Sequence, residues 1–128
     1  MVIVEIALSA LATDGLVCVG FPAIVDFDDT AATLRCCGDE DRSTQGIRRP
    51  ALARAIRAET DVVVDLSQLV FADSSVMLDL AMLARRLRVR GRQIRLRGAQ
   101  PQILTIIQIV GLHRLPGVQL EGPSPALA

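Results

Sequence analysis

Apolar and polar positions along the chain follow two different periods from about Ala23 onward. "AIVDF" and "ATLRCC" are short apolar runs joined by the acidic segment "DDTA", and this arrangement predicts a β-hairpin. "DVVVDLSQLVF" begins as a β-branched run without alternation, which is typical of a central strand covered on both faces or nearly so. "RQIRLRG" predicts a strand with Ile94 and Leu96 directed inward, and "GVQL" predicts a short last strand.

The first predicted helix follows "GDEDRST", where the strand pattern ends. Ser43 or Thr44 can cap this helix, and Pro50 should lie in or near its first turn. Its apolar stripe contains Ile47, Leu52, Ala55 and Ile56. Three arginines are expected on its outer side, namely Arg48, Arg54 and Arg57.

The second predicted helix has the clearest periodicity in the chain. Asp73 or Ser74 can cap it, and Gly91 should end it in a left-handed conformation. A third helix is predicted in "QPQILTIIQIVGL", from near Pro101 to Gly111. The apolar positions of the second helix have the spacing i, i+4, i+7, i+11 and are Val76, Leu80, Leu83 and Leu87.

The order of these elements predicts a single α/β domain, with a mixed central sheet of about four to five strands and helices packed on it. A chain of 128 residues with 51% hydrophobic residues can bury one core but has no room for a second domain. The domain is predicted over residues 23–120. Residues 1–22 fit the scheme poorly and are taken as an N-terminal extension of uncertain structure, and the Pro-rich residues 121–128 as a flexible tail.

Charge is unevenly distributed, although the formal net charge is +0. Residues 1–41 contain eight acids and one arginine, whereas residues 42–128 contain six acids and thirteen arginines. Seven arginines between Arg85 and Arg97 would suit a nucleic-acid or anionic-lipid surface. The favoured interpretation is plainer: these arginines end one helix and line the solvent face of the next strand. An aromatic content of 2% also disfavours a base-stacking surface.

The sequence favours a cytoplasmic protein without membrane insertion. No apolar run reaches the length of about 18 residues that a membrane span needs, and the start of the chain lacks the basic segment of a signal peptide. The three cysteines, Cys18, Cys36 and Cys37, are without C-x-x-C spacing, so neither a zinc site nor a disulfide framework is predicted. No cofactor is expected.

The segment "ADSS" places an aspartate and two serines between the central strand and the second helix. Several backbone N–H groups lack partners at a helix start, so these residues can serve simply as a cap. Alternatively, one hydroxyl is a phosphorylation site, because the helix dipole favours added negative charge at this end. A phosphate would then act on whatever protein docks against this surface.

Three longer segments resemble the STAS domains of bacterial anti-sigma factor antagonists: "VVVDLSQLVFADSS", "LARRLRVRGRQIRLRGAQPQI" and "IVGLHRL". Members of that family read as an apolar strand with "DLS", "DSSG" before a helix, "RG" before a strand and "GL" after the last long helix. "GDED", which ends at Asp41, resembles the family's "GELD" turn. The resemblance covers about residues 23–120.

The resemblance implies a protein that binds an anti-sigma factor, commonly a serine kinase, so that a sigma factor is released and transcription is switched on. The kinase would phosphorylate Ser74, and a metal-dependent phosphatase of the PP2C type would restore the active form. Asp41, Asp73 and Ser75 would lie in the surface that faces the partner. Val76 adjoins them and replaces the family's glycine after the serines, so it is expected to narrow partner choice or to block the kinase.

Other functions are compatible with parts of the sequence. STAS domains also serve as small subunits of lipid-transport ABC systems or of stress-sensing assemblies, where the serine is unmodified. An enzyme would have to combine Ser74 with an aspartate and the single histidine, His113, but a G-x-S-x-G elbow, a glycine-rich phosphate loop and an H-x-x-x-H pair are all missing. A protein that is neither an enzyme nor a DNA-binding protein is therefore expected, with His113 as a helix-end cap. The oligomeric state stays open.

Overall fold

The computed structural model describes residues 23–121, which form the α/β domain that the sequence predicts. Its strands are β1 (Ala23–Asp28), β2 (Thr33–Glu40), β3 (Val62–Ala72), β4 (Ile94–Arg97) and β5 (Val118–Leu120). Its helices are α1 (Gln45–Ile56), α2 (Ser74–Val89) and α3 (Pro101–Val110), and short 3-10 turns lie at Arg42–Thr44 and Leu112–Arg114. The extension predicted for residues 1–22, and residues 122–128 of the predicted tail, lie outside the described residues.

The strands form one mixed sheet in the order β1-β2-β3-β4-β5. β1 and β2 are antiparallel and form the predicted hairpin, in which the Asp28 carboxylate accepts the N–H groups of Thr30 and Ala31 at 2.9 and 3.2 Å. The pairs β2-β3, β3-β4 and β4-β5 are parallel. Parallel pairing of β2 with β3 brings Glu40 opposite Ala72, so both strands end at the same edge of the sheet.

The core lies on one face of this sheet. Buried and less buried side chains alternate at the start of β3 and along β4, and the helices cover the buried side. On the other side Val63 and Asp65 are half-buried and Arg95 and Arg97 are exposed, so the expectation of full coverage for β3 holds for one face only. The predicted stripe of α2 is confirmed, since all its members are at most 2% exposed: Val76, Leu80, Leu83 and Leu87.

Helix α1 departs from the sequence prediction at two positions, while the other three predicted members of its apolar stripe do pack in or against the core. Arg48, expected on the outer side, is 2% exposed, whereas Ile47, expected in the apolar stripe, is 64% exposed. The buried side contains Ala51 and Ala55. Small side chains let α1 approach closely, and Arg48 is accepted inside because carboxylates from other elements pair with it. Pro50 lies in the second turn of α1, near the first turn as expected.

Both long C-terminal helices end as predicted at a glycine in the left-handed conformation. After α2, Gly91 has φ of 77° and its N–H donates to Arg88 O at 2.9 Å, while the Arg92 N–H donates to Leu87 O at 2.9 Å. After α3, the Gly111 N–H donates to Ile107 O at 3.0 Å.

His113 does not form the cap that the sequence suggested. Its Nδ1 atom is buried and has no hydrogen-bond partner within residues 23–121. The helix end before it is already closed through the backbone of Gly111, so the imidazole is not needed there.

The arginines between Arg85 and Arg97 occupy two different faces of the domain. Arg85 and Arg88 are exposed on α2, whereas Arg95 and Arg97 are exposed on the side of the sheet away from the core. Arg97 also pairs with Glu121 at 3.1 Å. This is the helix-end and strand-face arrangement that the sequence favoured. Within residues 23–121, none of the helices combines the length and the apolar character that a bilayer crossing requires.

Candidate functional site

Two segments that are far apart in the sequence meet where β2 and β3 end. We call residues 41–44 the Asp41 turn and residues 73–76 the serine segment. The Asp73 N–H donates to Glu40 O at 3.2 Å, and the Arg42 N–H donates to the Asp73 carboxylate at 3.0 Å. The structure therefore places the Asp41 turn beside the serine segment, and the family resemblance assigned both segments to one docking surface.

Ser74 is the first residue of α2, and its side chain is exposed. Asp73 is the N-cap, and its carboxylate accepts the Ser75 N–H at 2.9 Å. No hydrogen bond to another described residue holds the Ser74 hydroxyl. This hydroxyl is therefore accessible from solvent at the positive end of a helix dipole.

Asp73 carries a carboxylate with a lowered pKa. Partial burial raises the pKa of Asp73, but hydrogen bonds from the Ser75 hydroxyl and from the backbone N–H groups of Ser75 and Arg42 outweigh that effect. Asp73 is therefore ionised at neutral pH. A negative charge lies beside the Ser74 hydroxyl before any modification occurs.

Ser75 and Val76 lie beneath the surface at the serine segment. Ser75 is 9% exposed, and its hydroxyl donates to the Asp73 carboxylate at 2.6 Å while accepting a hydrogen bond from Arg48 at 3.0 Å. Val76 is 2% exposed and belongs to the core. Within the serine segment, Asp73 and Ser74 are the residues that reach the surface.

A buried arginine, Arg48, joins the two segments. Its Nη1 atom donates to Glu40 Oε1 at 3.0 Å and to Asp41 O at 2.8 Å. Its Nε atom donates to Asp79 Oδ2 at 2.7 Å. We call Glu40, Arg48 and Asp79 the Arg48 cluster. One guanidinium thereby ties the end of β2 and the Asp41 turn to α2.

Sequence reasoning missed the Arg48 cluster. Arg48 is followed by Arg49, which is exposed, and nothing local to the helix distinguishes the two. Glu40 is 1% exposed and its pKa is raised, because burial outweighs the lowering effect of the hydrogen bonds from Thr44 and Arg48. The motif "GDED" correctly identified this turn in the sequence. It did not show that the glutamate of the motif is buried while its last aspartate stays at the surface.

The Asp41 side chain has a structural role of its own. Its carboxylate accepts the Ser43 N–H at 2.8 Å and the Ser43 hydroxyl at 2.6 Å. In return, the Asp41 N–H donates to the Thr44 hydroxyl at 3.0 Å, which completes a capping box. Asp41 is half-buried, so part of its carboxylate remains open to a partner.

Cys36 and the acidic side chains are the groups of residues 23–121 to consider for catalysis or metal binding. Burial raises the pKa of the Cys36 thiol to about 12, which keeps it protonated and poorly nucleophilic. Within residues 23–121, no group of three or more His, Cys, Asp or Glu side chains is placed to hold a metal ion. The site therefore consists of an accessible serine, two surface carboxylates and the buried support beneath them.

The fold and the site define a small α/β domain that presents a serine at a helix start. A family model described as "Mlab, STAS domain" matches residues 24–122, and the chain belongs to this STAS family. Among solved structures, the chain is similar to the anti-sigma factor antagonist SpoIIAA in its unphosphorylated form, with a TM-score of 0.55, 17% identity, and coverage of 82% of this chain and 92% of that one. The likeness to SpoIIAA confirms the predicted fold. No match was found among the curated proteins.

Proposed function

We propose that the chain is an anti-sigma factor antagonist. Its unphosphorylated form binds an anti-sigma factor, a serine kinase, so that a sigma factor is released and transcription is switched on. The observation that carries the proposal is the exposed Ser74 hydroxyl at the start of α2, next to Asp73 and the Asp41 turn. Membership in the STAS family and the likeness to an antagonist structure support it. The protein acts in the cytoplasm by binding, without catalysis of its own.

Phosphorylation of Ser74 by the kinase switches the protein off in this proposal. A phosphate adds about −1.5 to −2 charges at a helix N-terminus, where the dipole stabilises negative charge by about 0.3–1 kcal/mol. The fold should therefore tolerate the modification. The phosphate instead changes the docking surface, where its negative charge adds to that of the ionised Asp73 carboxylate. A metal-dependent phosphatase of the PP2C type restores the binding form.

Ser74→Ala is expected to abolish phosphate incorporation. The purified chain is incubated with ATP and each candidate anti-sigma kinase of its host, and intact mass is measured. The wild type should gain one phosphoryl group, and Ser43→Ala, which removes an exposed serine of the Asp41 turn, should gain it as well. Equal incorporation into Ser74→Ala and wild type would exclude Ser74 as the acceptor. Tight binding without any mass gain would instead indicate a constitutive antagonist.

Asp41→Ser is expected to weaken partner binding and to leave the melting temperature unchanged. Charge reversal to arginine would instead remove the N-cap and cost about 0.5–2 kcal/mol of stability. Serine keeps a capping oxygen and removes only the charge. Isothermal titration against the anti-sigma factor gives the affinity, and calorimetry gives the melting temperature. Unchanged affinity for Asp41→Ser would show that the Asp41 carboxylate lies outside the docking surface.

A second candidate function uses the same surface without phosphorylation. The matching family model is described as "Mlab, STAS domain", and a scaffolding role in a lipid-transport ABC system or a stress-sensing assembly is the second candidate. Ser74 and the Asp41 turn would then contact a permanent partner subunit. The gene neighbourhood separates the two functions: an adjacent anti-sigma kinase supports regulation, and an adjacent permease and ATPase support transport.

A further inference from the structure

An apolar groove runs along the exposed side of α2, next to the serine segment. Leu78 and Met82 on α2 form one wall, and Leu115 and Pro116, which follow α3, form the other. The groove has a volume of about 570 Å³, and an adjoining hollow of about 240 Å³ is lined in part by Ser74. We call the two together the α2 groove.

The exposed residues of the α2 groove lie outside the core, whereas buried residues of its adjoining hollow, such as Met77, belong to the core. Helix α2 has a second apolar row besides its buried stripe: Leu78, Met82 and Val89 are 68%, 51% and 84% exposed. Leu115 is also 39% exposed on the facing wall. Apolar side chains that are clustered and left open to water commonly mark a protein-binding surface.

The charged side chains that line the α2 groove are of one sign. Arg85 and Arg88 line it and are exposed, and no carboxylate lies among its described lining residues. The distance along α2 from Leu78 to Arg88 is about 15 Å, which corresponds to about three turns of a helix. The surface is thus an apolar floor of helix-like length with a positive rim.

We propose that the α2 groove binds an acidic amphipathic helix of a partner protein. Apolar side chains of that helix, spaced i, i+4 and i+7, would fill the space between Met82 and Leu115, and its carboxylates would face Arg85 and Arg88. A second copy of this chain fits less well, because both copies would bring arginines and neither would bring a carboxylate to the contact.

Phosphorylation of Ser74 would act on partner binding at the α2 groove, an inference that rests on the proposed function. Ser74 lines the end of the groove, so a phosphate there would place about −1.5 to −2 charges beside an acidic partner helix. Phosphorylation would then weaken the contact by repulsion while α2 itself stays folded. Because the partner helix and the phosphate are both negatively charged, phosphorylation of Ser74 and binding of the helix oppose each other.

The test uses two fluorescein-labelled peptides of about 18 residues, long enough for a marginal helix. One has leucines at i, i+4 and i+7 flanked by glutamates, and the other has every glutamate replaced by lysine. Fluorescence anisotropy with the full chain should show binding of the acidic peptide at least about tenfold tighter, with added salt reducing the difference. Arg85→Glu combined with Arg88→Glu should reverse the preference, and Ser74→Glu should weaken acidic-peptide binding.

A matched control changes two exposed arginines elsewhere, Arg49→Glu with Arg95→Glu, and should leave the preference intact. Equal binding of both peptides, or an equal loss in the control, would overturn the proposal. So would self-association of the chain through Met82 in sedimentation, or binding to phosphatidylglycerol vesicles in place of either peptide. These measurements contain no kinase or sigma factor, so their failure leaves the proposed function standing, and a lack of Ser74 phosphorylation leaves the peptide result standing.

Discussion

Arg48→Met is expected to lower the free energy of unfolding by about 3–5 kcal/mol. The substitution leaves Glu40 and Asp79 without their shared cation, and the Glu40 side chain is 1% exposed. An uncompensated carboxylate in that position must either stay charged in the core or take up a proton, and both states destabilise the fold. Urea unfolding followed by circular dichroism measures the change.

The adjacent residue provides the control for Arg48→Met. Arg49 is exposed on the same helix, so Arg49→Met should change stability by less than about 0.5 kcal/mol. Replacing the whole cluster, with Arg48→Met, Glu40→Leu and Asp79→Leu together, should recover much of the loss, because the buried charges disappear with their partner. Similar losses for Arg48→Met and Arg49→Met would contradict a buried ion cluster.

Arg48→Met should also loosen the site. The guanidinium binds the Asp41 carbonyl and the Ser75 hydroxyl, so its removal frees the Asp41 turn from α2. Backbone amide exchange should become faster at Arg42, whose N–H donates to Asp73. Unchanged exchange at Arg42 would mean that Asp73 alone holds the turn.

Leu83→Ala is expected to destabilise the domain by about 2–5 kcal/mol. Leu83 is 1% exposed in the buried stripe of α2, and alanine leaves a cavity between the helix and the sheet. The neighbouring Met82 is 51% exposed in the α2 groove, so Met82→Ala should cost far less stability. Thermal and urea unfolding of the two variants measures the difference.

The pair Leu83→Ala and Met82→Ala also separates folding from binding. Met82→Ala should reduce binding of the acidic peptide at a nearly normal melting temperature, because its side chain serves the groove and not the core. Equal destabilisation by the two substitutions would show that the orientation assigned to α2 is wrong.

Most of the fold was predictable because its signals are local. The stripe of α2, the glycines that end α2 and α3, and the inward Ile94 and Leu96 each depend on residues within a few positions of one another. The hairpin between β1 and β2 is equally local, since Asp28 binds the turn that follows it. Residues 1–22, for which the sequence offered no place, lie outside the described part of the chain.

The site was predictable only where it depends on residues that are close together in the sequence. The sequence by itself determined that a helix starts in this segment with Asp73 or Ser74 as its cap, because a cap concerns only a strand end and the next turn, and the structure assigns the cap to Asp73. Only the tertiary structure decided that the Asp41 turn lies beside Ser74, through the parallel pairing of β2 with β3. It also decided that Arg48 is buried, because the carboxylate that binds its Nε atom comes from Asp79, 31 residues away. Helical periodicity shows which residues share a face, but the partners that make a buried charge tolerable come from elements that only folding brings together.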